Sequence, residues 1–330
     1  MDRSMKTLAC VITCFSATAG MVSSASSQTS YPSKRITIVV PFAAGGSSPD
    51  IVGRMAAPIL ARELKVPVIV ENELGAGGNL GAMRVAKAPA DGHTLLMTTA
   101  SFVTSPAMYT NPGFDPIRDF SPVTLVFTTP VLYTISNSLP ATSVREFVDY
   151  AKKHPGQIAY GSAGIGSSSH LAVELFFDVF GINGVNVPYK GTSQAMPDLI
   201  SGRIQFFAVP LGTVLPYLKD KRIKALTIAI GSKARLPQIP DVPTTHESVA
   251  PNFEVGFWGG MLAPAGTPAP IVNRLQSILE QYFTGPEGRA KLDTLGAIAV
   301  VSKPDEFSAY LKSERERWGK VIEKAGIKPQ

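Results

Sequence analysis

Four stretches of small and hydroxylated residues stand out for the chemistry their backbone could do. They are Ala43 to Ser48, Gly75 to Asn79, Ser162 to Ser169 and Lys190 to Ser193. Each follows a short apolar run and precedes a segment with helical spacing. At such a place the first N–H groups of the helix have no intrahelical partner, and the helix dipole adds about half a positive charge. Several such termini converging would hold a carboxylate through N–H donors and neutral hydroxyls, without an arginine clamp. Only Lys190 brings a formal positive charge into these loops. One loop of this kind, taken alone, reads more readily as an ordinary β-α turn; four in one chain point to an anionic or polar ligand.

Other chemistries fail on residue types. Gly75-x-Gly77 is followed by Leu80, with the next spaced glycine delayed to Gly81, which misses the dinucleotide fingerprint by one position. No phosphate loop ending in Gly-Lys-Ser/Thr occurs, and no Gly-x-Ser-x-Gly nucleophile elbow. His93, His154, His170 and His246 are scattered without ligand spacing, so neither a metal site nor a cofactor is expected. Ser167 or Ser168 with His170 leaves a secreted serine hydrolase as one enzymatic alternative, against which His170 reads as a packed or exposed first-turn residue. The chain is not expected to be an enzyme.

These loops need elements to hold them. Ile36 to Val40 is a short β-branched run and reads as a buried strand. Ser48 as N-cap, Pro49 at the first helical position and Asp50 in the first turn then start a helix. Val66 to Val70 predicts a second strand, and Leu80 to Ala88 a short helix capped by Asn79. Thr94 to Thr98 predicts a third strand, followed by a hydroxyl-rich loop from Ala100 to Pro106. Pro122 to Phe127 and Val131 to Ile135 read as two strands separated by Thr128-Thr129-Pro130, where a change of lobe could sit. Ser143 and Glu146 form a capping box for a helix from Val144 to Lys153. A helix from His170 to Phe180 follows the third loop, and one from Gln194 to Ser201 follows the fourth. Near the end, Glu254 to Leu262 predicts a strand containing Trp258, which is either core or a cleft wall. Ile271 to Phe283 and Pro304 to Gly319 are amphipathic helices flanking a short strand at Ala297 to Val301. Alternating strands and helices argue for mostly parallel α/β sheets with ligand at the carboxyl ends of strands.

The chain has 330 residues, 45% hydrophobic and 17% charged, which is too long for one small core and fits two lobes. A net charge of +6 is spread along it with no basic run interleaved with aromatics, so nucleic acid is not an expected partner. Arg3 and Lys6, then Leu8 to Val22, then Ser23-Ser24-Ala25 have the order of a secretory signal peptide, expected to be cleaved after residue 25. Its removal takes away both cysteines, Cys10 and Cys14, so the exported protein would carry neither disulfide nor thiol nucleophile.

Six ordered blocks resemble a known family. They are Pro41-Phe42-Ala43-Ala44-Gly45-Gly46 with Asp50-Ile51-Val52; Val70-Glu71-Asn72 with Gly75 to Ala82; Pro89 to Leu96; Asp115 to Phe120; Val187 to Gly191; and Leu262 to Pro268. They are similar to the Bug family of periplasmic solute-binding proteins, the receptors of tripartite tricarboxylate transporters. The resemblance implies a type II periplasmic binding fold, with two α/β lobes joined by two crossing strands. Lobe 1 would comprise residues 31–127 plus 258–330, and lobe 2 residues 128–257. It implies a small carboxylate ligand, membrane permease subunits as partners, a periplasmic location and a monomer. Carried over by position, the ligand-binding residues would be Phe42, Ala44, Ser47, Ser48 and Asp50 in the first loop, with Gly78, Asn79 and Ser101 on the same lobe. Ser162, Ala163, Ser167, Ser168 and Tyr189 would come from the other. The chain departs from the family pattern twice. Three residues rather than two separate the Gly-Gly pair from Asp50, which leaves Ser47 and Ser48 as alternatives. Val209-Pro210 stands where many members have Asp-Asn, which implies an apolar wall and a non-amino ligand, a dicarboxylate or aromatic carboxylate. A ligand-presenting subunit for a membrane signalling kinase is the alternative role for the same fold.

Overall fold

The apolar runs become strands of one pleated path; Ile36 to Val40 is fully buried beneath the helices that the intervening segments form, while Val68 to Asn72 and Gly184 to Pro188 at the two ends of the path stay partly exposed. The structure, a computed structural model, describes residues 31–330 other than 46, 190, 231, 232, 252, 328 and 330. The expected signal peptide, with Cys10 and Cys14, therefore lies outside the described residues, as do Gly46 and Lys190. Tyr31 to Gln330 forms one compact unit.

In chain order the elements are β1 (Ile36–Val40), α1 (Ser48–Leu64), β2 (Val68–Asn72), a 3-10 turn at Ala76–Gly78, α2 (Asn79–Ala86), β3 (Thr94–Thr98), α3 (Ser101–Met108) and β4 (Phe120–Ser136). There follow α4 (Val144–Lys153), β5 (Ile158–Ser162), α5 (Ser168–Phe180), β6 (Gly184–Pro188), α6 (Thr192–Ser201), β7 (Phe206–Pro210), α7 (Leu211–Lys219) and β8 (Ile223–Ile228). The chain closes with α8 (Thr245–Ser248), β9 (Gly256–Pro264), α9 (Ala269–Phe283), α10 (Pro286–Thr294), β10 (Ile298–Ala299) and α11 (Pro304–Lys324). The expected α/β class holds, but the pairing is mixed rather than mostly parallel: β1 and β5 have parallel neighbours, whereas every pairing of β4 and β9 is antiparallel.

The strand order is β2-β1-β3-β9-β4-β7-β5-β6, with β8 and β10 also on β4. β1 lies parallel between β2 and β3, and all five of its residues are buried, as a strand covered on both faces must be. β5 likewise lies parallel between β6 and β7. β4 belongs to both halves: Phe120 to Pro130 pairs antiparallel with β9, and Val131 to Ile135 pairs antiparallel with β7. The two strands expected here are thus one strand of 17 residues. Pro130 does not break it because the partner changes at that residue, so a missing N–H falls where one ladder ends and the next begins.

Two further departures have local causes. The hydroxyl-rich Ala100 to Pro106 segment is mostly helix α3, because burial of Phe102, Val103 and Met108 outweighs its poor propensity. α10 has weak amphipathicity and went unforeseen; Leu292 anchors it against the apolar cluster that contains Leu279 and Phe283.

Candidate functional site

The first loop is built around a buried carboxylate. Ser47, not Ser48, is the N-cap of α1, and its Oγ accepts from the Asp50 N–H at 3.4 Å. Asp50 is fully buried and turned back into the loop. Its Oδ2 accepts from the Gly45 N–H at 2.7 Å and from Arg54 Nε at 3.0 Å, and its Oδ1 accepts from Asn72 Nδ2 at 2.6 Å. Asn72 Nδ2 also donates to the Phe42 carbonyl at 2.8 Å. Burial alone would raise the Asp50 pKa, but the hydrogen bonds from Arg54, Asn72 and Gly45, with the charge of Arg54, hold it below the ordinary carboxylate range. Asp50 therefore fixes the path of the Phe42 to Ser47 segment from inside.

On the second loop, Gly78 is the N-cap of α2 in a left-handed conformation, with φ 104°, and a Cβ there would press on Pro41. Asn79 lies inside the helix rather than capping it, because its Oδ1 is engaged by the Ser105 hydroxyl on α3. On the third, Ser167 caps α5 and its Oγ accepts from the His170 N–H at 3.3 Å. Ser169 Oγ accepts from the Ala163 N–H at 2.9 Å. His170 is buried; its Nδ1 accepts from the Gly166 N–H at 2.9 Å, and its Nε2 lies 3.8 Å from Glu174 Oε1. Burial pushes its pKa down to about 4. Its acceptor nitrogen is thus committed to the loop backbone. On the fourth loop Gly191 is the N-cap of α6, and the Tyr189 hydroxyl donates to Asp198 Oδ2 at 2.7 Å. Burial, the bond to Asp198 and that carboxylate's charge push Tyr189 up to about 12.

The first, third and fourth loops surround a cavity of about 590 Å³. Five helices bring their N-terminal ends to it: α1 through Ser47 and Ser48, α3 through Ser101, α5 through Ser167 to Ser169, α6 through Thr192 and Ser193, and α7 through Pro210 and Thr213. Its remaining wall comes from the paired crossing strands, with Phe127 and Thr129 on β4 and Phe257 and Trp258 on β9. No described residue lining it carries a charged side chain. A second cavity of about 350 Å³ shares Phe42, Ser101, Ala163 and Ser167 with the first, and Gly78 lines it. Of the expected residues, Phe42, Ser47, Ser48, Gly78, Ser101, Ala163, Ser167 and Ser168 line this joined cleft. Ala44, Asp50, Asn79, Ser162 and Tyr189 line neither cavity: Asp50, Asn79 and Tyr189 make the internal contacts above, and the Ser162 hydroxyl is buried.

A family profile described as tripartite tricarboxylate transporter family receptor matches residues 52–327. The chain belongs to this receptor family. It is similar to the solved periplasmic binding protein BugD, at 36% identity and a TM-score of 0.75, over 91% of this chain and all of that one. An adipate-bound protein of R. palustris is 33% identical with a TM-score of 0.78, again over 91% of this chain and 100% of its own. MatC of Rhodopseudomonas palustris, solved with bound malate, is 34% identical with a TM-score of 0.73, over 88% of this chain and 100% of its own. The type II binding-protein fold expected from the six sequence blocks is the fold these relatives share.

In this receptor-family chain, three further residues that the expected ligand-binding set left out border the cleft. Thr129 is 3% exposed, its hydroxyl has no partner, and it lines the first cavity. Trp258 is both core and wall: its Nε1 donates to Glu314 Oε2 at 2.9 Å while it borders the same cavity. Pro210 borders it too, which supplies the apolar wall that Val209-Pro210 implied. A larger hollow of about 630 Å³ lies against Thr128 and Pro130. Alternation along β4 puts it on the opposite face of that strand from Phe127 and Thr129. Lys324 and Lys320 on its α11 side are ion-paired to Asp178 and Glu316.

Proposed function

We propose that this chain is a periplasmic receptor that binds a small organic carboxylate, a dicarboxylate or an aromatic carboxylate, and delivers it to the membrane permease subunits of a tripartite tricarboxylate transporter. The observation that carries the reading is the ring of five helix N-termini around a cleft whose described lining is free of charged side chains. Oriented N–H groups and hydroxyls stabilise an anion there without the desolvation cost of a buried cation. Adipate and malate in two relatives of similar fold support the ligand class.

In this reading residues 1–25 are a cleaved signal peptide, and the exported protein is a monomer. Residues 31–127 with 258–330 form one lobe, and 128–257 the other. Ligand contacts come from Phe42, Ser47 or Ser48, Gly78 and Ser101 on the first lobe, and from Ala163, Ser167 and Ser168 on the second. Bound anion draws the lobes together, and the permease reads the closed form. The apolar Pro210 wall offers nothing to a ligand ammonium group, so amino acids are excluded as preferred ligands.

A thermal-shift screen of the exported protein against a carboxylate library tests this. A ligand at 100 times its dissociation constant adds about 2.7 kcal/mol, a clear upward shift in melting temperature. Flat curves across all acids would overturn the carboxylate reading, and a preference for aspartate or glutamate would overturn the exclusion of amino ligands.

A further inference from the structure

We propose that the second cavity is a compartment for an apolar ligand body, so that the preferred ligand is an elongated carboxylate with six or more carbons rather than a four-carbon acid. This rests on the carboxylate reading above and specifies its ligand. The two cavities meet at Phe42, Ser101, Ala163 and Ser167, so a ligand held at the helix N-termini has a way through between them. Beyond that gate Leu74, Met108, Tyr109 and Ile165 line the compartment, and the hydroxyls of Thr104 and Ser105, which also line it, donate to the Ser101 carbonyl and to Asn79 Oδ1.

Leu74 and Ile165 are the two most exposed large apolar side chains among the described residues, at 58% and 54%. They reach the same compartment from different halves of the fold, Leu74 from the loop after β2 and Ile165 from the loop after β5. Exposure of large apolar groups costs free energy that burial against a ligand recovers, and a concave apolar surface joined to polar groups is how ligand sites are usually built. The end of the compartment is shaped by close approach. At Gly166 a Cβ would fall 2.2 Å from Met108 Cε, and at Gly77 one would fall 2.6 Å from the Tyr109 hydroxyl. Both glycines have positive φ, 73° and 66°, so the backbone there tolerates only glycine without strain. The first cavity supplies the anion-holding ends of helices; the second has volume and apolar surface that a four-carbon acid would leave in contact with water.

Isothermal titration of the exported protein with succinate, adipate, suberate, hexanoate and octanoate measures the effect of length. Each methylene buried in the compartment should tighten binding by up to about fourfold, so suberate should exceed succinate by at least about tenfold. In the double variant Leu74→Asn, Ile165→Asn this gain with length should flatten. Both side chains are exposed, so the unliganded melting curve should stay in place and report an intact fold. Succinate binding as tightly as suberate, or a double variant that keeps the full gain, would overturn the elongated ligand while leaving the carboxylate reading intact. Absence of binding by every acid would overturn both.

Discussion

Thr129 has the simplest unresolved chemistry in the cleft. Its hydroxyl is buried without a protein partner, and a buried hydroxyl in that state costs about 1–3 kcal/mol unless ligand or water meets it. It faces the first cavity from β4, directly opposite Phe257 on β9. Thr129→Val keeps the shape and removes the hydroxyl. It should leave unliganded stability to urea unchanged or slightly raised, while weakening carboxylate binding about ten- to hundredfold, the worth of one hydrogen bond to a charged group. Thr129→Ser should restore affinity; equal affinity in the Val variant would mean that the ligand never reaches the hydroxyl. The sequence around Thr129 marks a possible change of lobe but not a ligand wall, whereas Ser47, Ser48, Ser167 and Ser168 stood in glycine–serine runs ahead of helices. The difference is physical. A loop that presents N–H groups writes its own signature locally, but a strand residue becomes a cleft wall only through the partner that pairs with it, and β9 is distant in sequence. Asp50 went the other way. Its place in the first block suggested ligand contact, and its burial with Gly45, Arg54 and Asn72 makes it the residue that holds the loop.

At the scale of elements, the loops before α1 and α5 each depend on one buried titratable group, and both lose stability as pH falls, in different windows. Asp50→Ala removes the acceptor for three donors and leaves the Gly45 N–H and the Asn72 amide without it. Chemical denaturation should show a loss of about 2–4 kcal/mol, and binding should weaken as the Phe42 to Ser47 path loosens. Because the folded pKa of Asp50 is lowered, its contribution is present above the unfolded carboxylate range and is lost as pH falls through the folded value. His170 acts in a separate, higher window. Its folded pKa is about 4 against 6.5 for the free side chain, so between those values the unfolded chain binds a proton that the folded chain refuses. Stability should therefore fall as pH drops from about 6.5 towards 4, by at most about 3 kcal/mol. Neighbouring Glu174, whose Oε1 is engaged by the Tyr160 hydroxyl, attracts the proton but does not offset burial. Urea melts of His170→Gln, which can still accept from Gly166, should be flat across that window; a wild-type slope there would assign it to other groups. The helix-start signals that placed these loops were legible to within a residue or two, since capping is local. α3 was not, since its hydroxyl-rich sequence is helical only because the core takes up one face.

The whole molecule turns on a single shared element. β4 changes partner between Pro130 and Val131, and the cleft and the hollow behind it lie on opposite faces of that strand. The division was half legible: proline and polar residues at Thr128-Thr129-Pro130 marked the place, but read as a break rather than as a continuous strand serving two ladders. A strand that joins two sheet halves beside a cleft is where a hinge rotation can occur without loss of either core, so ligand should draw α1 and α6 together across the cavity. Ser48 and Ser193 line that cavity from the starts of α1 and α6, which belong to different halves. The chain's two cysteines are Cys10 and Cys14, both in the segment expected to be removed on export, so a new pair has no native competitor. In the exported double variant Ser48→Cys, Ser193→Cys, a saturating carboxylate should speed disulfide formation, and the oxidised protein should release ligand more slowly than the reduced one. Rates that are unchanged or lowered by ligand, with binding intact by calorimetry, would mean that the anion is held without closure.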